Sequence, residues 1–122
     1  MKFKESKSIY LQIADRIMDE ILQNIYKEEE RIPSVREYAA SVEVNANTMM
    51  RTYEYLQGQE IIYNKRGIGY FVEKDAVNKI LTLRKDSFMN EELPEMFRTM
   101  KILGISASEI TVLFRQYLKE NK

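Results

Sequence analysis

Residues 32–56 read IPSVREYAASVEVNANTMMRTYEYL, and this stretch decides the fold. Ser34 is followed three residues later by Glu37, which is the pattern of a capping box at the start of a helix. Asn45 is a favourable N-cap for a second helix, with Thr48 at its third position. Two short capped helices joined by a turn of about four residues form a helix-turn-helix, so the stretch predicts this motif.

The residues before this stretch predict a longer amphipathic helix. Isoleucines recur at every fourth position from Ile9 to Ile25, and neighbouring apolar residues widen the stripe. The run KEEE at residues 27–30 is more typical of a solvated turn than of a binding site. We therefore expect a core helix, followed by a polar loop.

A change of hydrophobic period after residue 60 predicts a β-hairpin. Residues 61–63 (IIY) and 70–72 (YFV) have the composition of strands, and residues 64–69 (NKRGIG) form the turn between them. Gly67 and Gly69 lie where a tight hairpin can require positive φ. A basic hairpin directly after a helix-turn-helix is typical of a wing.

From Asp75 onward the apolar spacing is again helical. Pro94 is compatible with a first helical turn, where N–H groups have no helical partner. The residues expected to cap or end these helices are Asn90, Gly104, Ser106 and Glu109. The predicted fold class is mainly α with a small β-hairpin: a winged helix-turn-helix domain at residues 1–74 and a C-terminal helical dimerisation segment at residues 75–122.

The composition excludes much chemistry. The 122 residues contain neither Cys nor His, so a thiolate nucleophile, an imidazole base and a Cys/His zinc site are ruled out. The 4 Gly form no phosphate-binding loop, and no apolar run approaches the roughly 18–20 residues that span a bilayer. We expect neither an enzyme nor a cofactor or metal site. The lack of disulfides and of a membrane segment favours the cytoplasm.

The charge balance restricts the kind of nucleic-acid binding. Residues 1–74 contain 11 Lys and Arg against 12 Asp and Glu, a net charge of −1. This balance disfavours an architectural protein that binds DNA of any sequence. A specific binder needs only a local basic face, with acidic residues placed elsewhere.

Three linked motifs, IPSVREYA, VNANTMMRTYEYL and RGIGYFV, resemble in order and spacing the N-terminal domain of GntR-family bacterial regulators. The match extends over about residues 8–73. The short tail, which includes ELPEMFRTMKILGIS, resembles the YtrA-like branch of that family. The resemblance implies a repressor whose targets often include a neighbouring transporter operon. It also implies that Arg36, the arginine of the PSVRE motif, faces DNA.

The sequence departs from the family pattern at several turns. Asn24, Glu29 and Glu60 occupy positions where the family frequently has glycine. Glu60 is expected to leave the recognition helix without that advantage, or Gly58 helps to end the helix early. In the wing, Ile68 and Tyr70 replace residues that are usually polar or small.

The N-terminal residues of a recognition helix face base edges in the major groove. Asn47 can pair with adenine and Arg51 with guanine, each contributing about 1–3 kcal/mol of discrimination, although Arg51 could equally contact a phosphate. The hydroxyl-bearing helix caps can bind phosphate, and the basic wing tip can enter the minor groove. The alternative for Arg36 is an ion pair with Glu37 or Glu43. The candidate DNA-binding residues are Ser34, Arg36, Asn45, Asn47, Thr48, Arg51, Lys65, Arg66, Gly67 and Gly69.

The tail is too short to fold alone, so its apolar side chains are expected to be buried against a second copy of the chain. A two-fold dimer also doubles the base contacts of a single domain and matches an inverted repeat. The candidate dimerisation residues are Phe88, Leu93, Phe97, Met100, Leu103, Ile110, Leu113, Phe114 and Tyr117.

The expected partners are double-stranded DNA, a second copy of the chain and an unidentified small effector, with no membrane. The effector is expected at the dimer interface or between the tail and the winged domain. The competing function is a winged-helix protein–protein interaction module without specific DNA binding. Convergence of Arg36, Arg51, Lys65 and Arg66 on one face would favour DNA.

Overall fold

The computed structural model describes residues 7–122, which form two compact units divided between Thr82 and Leu83. The mainly helical chain with one antiparallel hairpin confirms the predicted fold class. The domain boundary between residues 74 and 75 stays a prediction. In chain order the elements are α1 (Ile9–Leu22), α2 (Val35–Val42), α3 (Ala46–Gly58), β1 (Ile62–Lys65), β2 (Gly69–Val72), α4 (Ala76–Ser87), one π-helical turn (Phe88–Glu92), α5 (Leu93–Leu103) and α6 (Ala107–Glu120).

The core of the first unit is built mainly by α1 and α3. Both helices bury the stripe that their apolar spacing predicts, since positions three and four residues apart share one face of a helix. The buried residues of the two helices are Ile13, Ala14, Ile17, Met18, Ile21, Met49, Thr52, Tyr53 and Leu56. The buried Thr52 hydroxyl donates to the Tyr10 carbonyl at 2.8 Å, so its polar group is satisfied across the two helices.

The caps expected around α2 and α3 are present. The Glu37 N–H donates to Ser34 Oγ at 3.1 Å, and the Ser34 N–H donates to Glu37 Oε1 at 2.9 Å, which completes a capping box. At the start of α3, the Asn47 N–H donates to Asn45 Oδ1 at 2.7 Å. The sequence prediction of a helix-turn-helix is therefore confirmed in its local geometry.

The hairpin follows the predicted turn. Lys65 is paired with Gly69, and the Ile68 N–H donates to the Lys65 carbonyl at 2.9 Å. Gly67 and Gly69 have φ values of 78° and 143°, so both positions need the freedom of glycine, as expected.

A third segment, unforeseen from the sequence, runs along the free edge of β2. Arg31 forms a bridge with Phe71, the Ile32 N–H donates to the Tyr70 carbonyl at 3.0 Å, and the Glu29 N–H donates to the Val72 carbonyl at 2.8 Å. The chain between α1 and α2 is therefore attached to the wing by backbone hydrogen bonds.

The expectation for Asn90 is wrong. Asn90 lies inside the π-helical turn Phe88–Glu92, and α5 begins at Leu93 with no side-chain cap. The physical reason is Pro94, which has no N–H and whose ring would collide with a carbonyl four residues earlier in an α-helix. The wider π-helical turn accommodates it without a break. The other two expectations hold: Gly104 ends α5 at φ 70°, and Ser106 Oγ accepts from the Glu109 N–H at 3.1 Å.

The three positions where the family that the sequence resembles frequently has glycine all take left-handed backbone conformations. Asn24, Glu29 and Glu60 have φ values of 62°, 68° and 60°. Helix α3 ends at Gly58, and the chain then turns at Glu60 into β1. A side chain with a Cβ is disfavoured in this region by about 1–2 kcal/mol, so these turns cost stability.

We expect Glu60→Gly to raise the free energy of unfolding by roughly 0.5–1 kcal/mol. Removing Cβ relieves the strain at φ 60°, and the greater freedom of glycine in the unfolded chain offsets part of the gain. The control is Glu60→Ala, which keeps Cβ. Both variants lose the carboxylate that lies 3.7 Å from Lys79 Nζ, so the difference in stability between them reports the effect of Cβ. Urea unfolding at one protein concentration measures both, and equal stability of the Gly and Ala variants would contradict the prediction.

Candidate nucleic-acid interface

The ring of Tyr53 connects the recognition helix α3 to its two neighbours. Its hydroxyl donates to the Pro33 carbonyl at 2.5 Å, immediately before the capping box of α2. Its ring meets the Tyr70 ring of β2 edge-on, with 4.9 Å between centroids. Burial raises the pKa of Tyr53 above its ordinary value, so the hydroxyl remains a donor. One buried side chain thus fixes α3 against the start of α2 and against the wing.

A second tyrosine fixes α2 against α1. The Tyr38 hydroxyl donates to the Glu20 carboxylate at 2.5 Å, and the ring is buried. Burial, together with that hydrogen bond, raises the pKa of Tyr38. Tyrosine hydroxyls therefore link α1 to α2, and α3 to the residue before the α2 cap, in addition to apolar packing.

The N-terminal half of α3 presents several side chains to solvent. Asn47, Met50 and Arg51 are exposed, and Thr48 is half-buried. The Asn45 side chain is occupied as the helix cap, whereas only the backbone N–H of Asn47 takes part in that bond. Asn47 therefore keeps its amide group available, and Asn45 has a structural role whether or not it also contacts DNA.

Arg51 has a contact that the sequence did not reveal. Its guanidinium carbon lies 4.2 Å from the centroid of the Tyr10 ring. Tyr10 comes from the first turn of α1, and it also meets the Tyr55 ring edge-on at 6.4 Å between centroids. The two residues are 41 positions apart, and no periodicity in the sequence relates them.

Arg36 is exposed in the first turn of α2. Among residues 7–122 it forms no ion pair with Glu37 or Glu43. The Glu37 carboxylate instead accepts from Ser34, and the Ser34 hydrogen bonds lower the pKa of Glu37. The alternative interpretation of Arg36 as half of a surface ion pair is therefore without support in the structure.

The wing carries Lys65 and Arg66 at its turn, both exposed. The Lys65 ammonium lies 4.6 Å from the centroid of the Phe71 ring, and Phe71 is stacked on Tyr63 at 5.8 Å. Cation–π contact restrains the lysine on the hairpin while leaving its ammonium near solvent. The Phe71 ring, which is stacked on Tyr63, therefore supports Lys65 on the hairpin.

Arg31 is a further exposed cation beside the wing, and it was absent from the sequence-based candidates. A Cβ at Gly69 would lie 2.8 Å from Arg31 Nε, so the glycine leaves space for this guanidinium. The signal that places Arg31 here is the long-range pairing with Phe71, which the local sequence does not contain. That these exposed cations share one DNA-facing surface stays a prediction.

Most of the predicted dimerisation residues lie on α5 and α6, where they form large apolar surfaces that are exposed to solvent. Phe97 is 55% exposed, Leu103 66% and Phe114 59%. Leu93, Met100 and Ile110 are half-buried. Neither helix has a fully buried residue. The side chains on these two helix faces are apolar, as in a protein core, but they are exposed to solvent.

Some kinds of site are absent from the described part of the chain. Over residues 7–122, no three acidic residues come together in a way that could hold a metal ion. In the same range, no helix is both long and apolar enough to cross a membrane.

A capped helix-turn-helix followed by a basic hairpin defines a winged helix-turn-helix protein. Residues 9–72 match the family model of bacterial regulatory proteins of the gntR family. The chain belongs to the GntR family. It is a DNA-binding transcriptional regulator and not an enzyme.

Individual relatives resemble the chain over nearly its full length. The HTH-type transcriptional regulator YhcF of Bacillus subtilis is 37% identical over 109 residues, which cover 89% of this chain and 88% of YhcF. The HTH-type transcriptional repressor YtrA of Bacillus subtilis is 26% identical over 117 residues, which cover 96% and 86%. A crystal structure of a GntR-family transcriptional regulator from Bacteroides thetaiotaomicron has 55% identity and a TM-score of 0.84, covering 94% of this chain and 100% of that one. The similarity therefore includes the short tail as well as the winged domain.

Proposed function

We propose that the chain is a cytoplasmic repressor that binds an inverted-repeat operator as a homodimer. The observation that carries the proposal is the combination of a capped, polar recognition helix in one unit with unburied apolar helices in the other. The first feature fits a DNA groove, and the second requires a partner surface. A second copy supplies that surface and also a second recognition helix.

Base reading is assigned to the N-terminal half of α3. The exposed Asn47 amide can pair with adenine in the major groove, and Arg51 can reach guanine or a phosphate. The N-terminus of α2 and the nearby Arg36 are suited to the phosphate backbone. A cation favours anions, and so do the N–H groups of the first helical turn that the Ser34 cap does not use. Lys65 and Arg66 extend the contact to the minor groove.

Dimerisation is assigned to α5 and α6. Aromatic and aliphatic side chains that are more than half exposed stabilise a protein only when they leave water, and each contributes about 1.5–3 kcal/mol when fully buried. A patch of this kind on a small protein marks an interaction site. The open apolar groove of about 430 Å³ that Val112 and Leu113 line on α6 would then be covered by the second copy.

The repressor assignment is supported by YtrA of Bacillus subtilis, a transcriptional repressor that matches this chain over 96% of its length. An effector at the dimer interface would act by changing the separation of the two recognition helices.

DNA binding is tested by fluorescence anisotropy with a duplex from the region upstream of the chain's own coding sequence, in a salt series with nonspecific competitor. We expect selective binding that weakens steeply with salt, and about a tenfold loss of affinity for Arg36→Ala, because a hydrogen bond to a charged group is lost. Arg16→Ala is the matched control, since Arg16 is an exposed arginine of α1 outside the candidate set.

Three outcomes would contradict the proposal. Equal, weak binding to every duplex would indicate an architectural protein. An unchanged affinity for Arg36→Ala would contradict the assignment of Arg36 to the phosphate backbone. The absence of binding at low salt, with the dimer intact, would favour the protein–protein interaction module.

Dimerisation is tested by analytical ultracentrifugation at micromolar concentration. We expect the unmodified chain to sediment as a dimer and Phe97→Asp to sediment as a monomer, because a carboxylate cannot be buried unpaired in an apolar interface. Thr99→Asp introduces the same charge at an exposed polar position of α5 and is the control. A monomeric unmodified chain would rule out the homodimer.

A further inference from the structure

Arg51 contacts a side chain of a helix other than its own. Its guanidinium lies over the Tyr10 ring at 4.2 Å, and Tyr10 in turn contacts the Tyr55 ring edge-on. Glu54 completes the lining of the open cleft in which these side chains meet. Helix α1 therefore contributes an aromatic face to the cation of α3.

This contact leaves the hydrogen-bonding edge of Arg51 free. A guanidinium is planar and presents its five donors in the plane, so an aromatic ring on its face blocks none of them. No ion pair joins Arg51 to a carboxylate of residues 7–122, and its side chain is exposed. Its donors are therefore available to an acceptor supplied from outside the chain.

The backbone of Tyr10 is held independently of its ring. The Thr52 hydroxyl donates to the Tyr10 carbonyl at 2.8 Å, and Thr52 is the residue after Arg51 in α3. A substitution at Tyr10 removes the ring but keeps this carbonyl. The side chain can thus be exchanged while the hydrogen bond between α1 and α3 remains.

We propose that Tyr10 is a positioning residue for DNA recognition, whose ring preorganises Arg51 for contact with the duplex. The inference rests on the proposed function and adds a residue of α1 to the recognition machinery. A free arginine loses rotamer entropy when it binds, and a side chain that is already held loses less. Tyr10 thereby contributes to DNA affinity through Arg51.

The test compares Tyr10→Phe, which keeps an aromatic face, with Tyr10→Leu, which keeps only apolar packing. Each is made in the full chain, with and without Arg51→Ala. The probe is a duplex that the unmodified chain selects from a random pool. We expect Tyr10→Leu to weaken binding about two- to fivefold for each bound protomer, the size of an exposed cation–π contact. Tyr10→Phe should bind as the unmodified chain does, and Tyr10→Leu should have no further effect beside Arg51→Ala.

Several results would overturn the inference. One is equal affinity of the Leu variant and the unmodified chain. Another is an equal loss for Phe and Leu, which would assign the effect to the hydroxyl. A Leu effect that persists beside Arg51→Ala would show a general change of α1, which urea unfolding of the same variants would register. If the unmodified chain selects no sequence from the pool, the proposed function itself fails, and this inference fails with it.

Discussion

The buried ring of Tyr53 sets the geometry on which the DNA-binding unit depends. Through one hydroxyl and one aromatic edge it joins α3 to the Pro33 carbonyl and to Tyr70. Groove recognition requires that the recognition helix, the preceding helix and the wing keep fixed relative positions, because base and phosphate contacts must be made together. A residue with no exposed surface thus controls where the exposed ones lie.

The local features of the fold could be predicted from the sequence. Three of these features depend on residues within a few positions of each other: the capping box at Ser34, the Asn45 cap and the glycines of the hairpin. Each can therefore be recognised from the local sequence. The expected Asn90 cap failed because Pro94 was accommodated by a π-helical turn, which has no simple sequence signature. Local pattern therefore predicts the caps and the hairpin turn, but it does not predict where a helix changes its hydrogen-bonding period.

The candidate site was only partly predictable, for the same reason. The motifs in the sequence predict exposed cations such as Arg36 and Arg66. The residues that contact the cations of the site, however, come from distant segments of the chain. Arg31 lies beside the wing because its backbone pairs with Phe71, and Arg51 of α3 contacts the Tyr10 ring of α1. These contacts depend on tertiary packing of α1, α3 and β2, which periodicity within one element does not specify.

In the proposed function, the first unit supplies polar and cationic side chains for operator binding, and the second unit supplies apolar helix faces for dimerisation. We propose that the dimer places its two recognition helices in successive major grooves. A hydroxyl-radical footprint of the full chain on its own upstream DNA tests this claim most directly. The account predicts two protected patches on one face of the duplex, with centres about 34–36 Å apart or a multiple of that distance. A single patch, or uniform protection along the DNA, would contradict it.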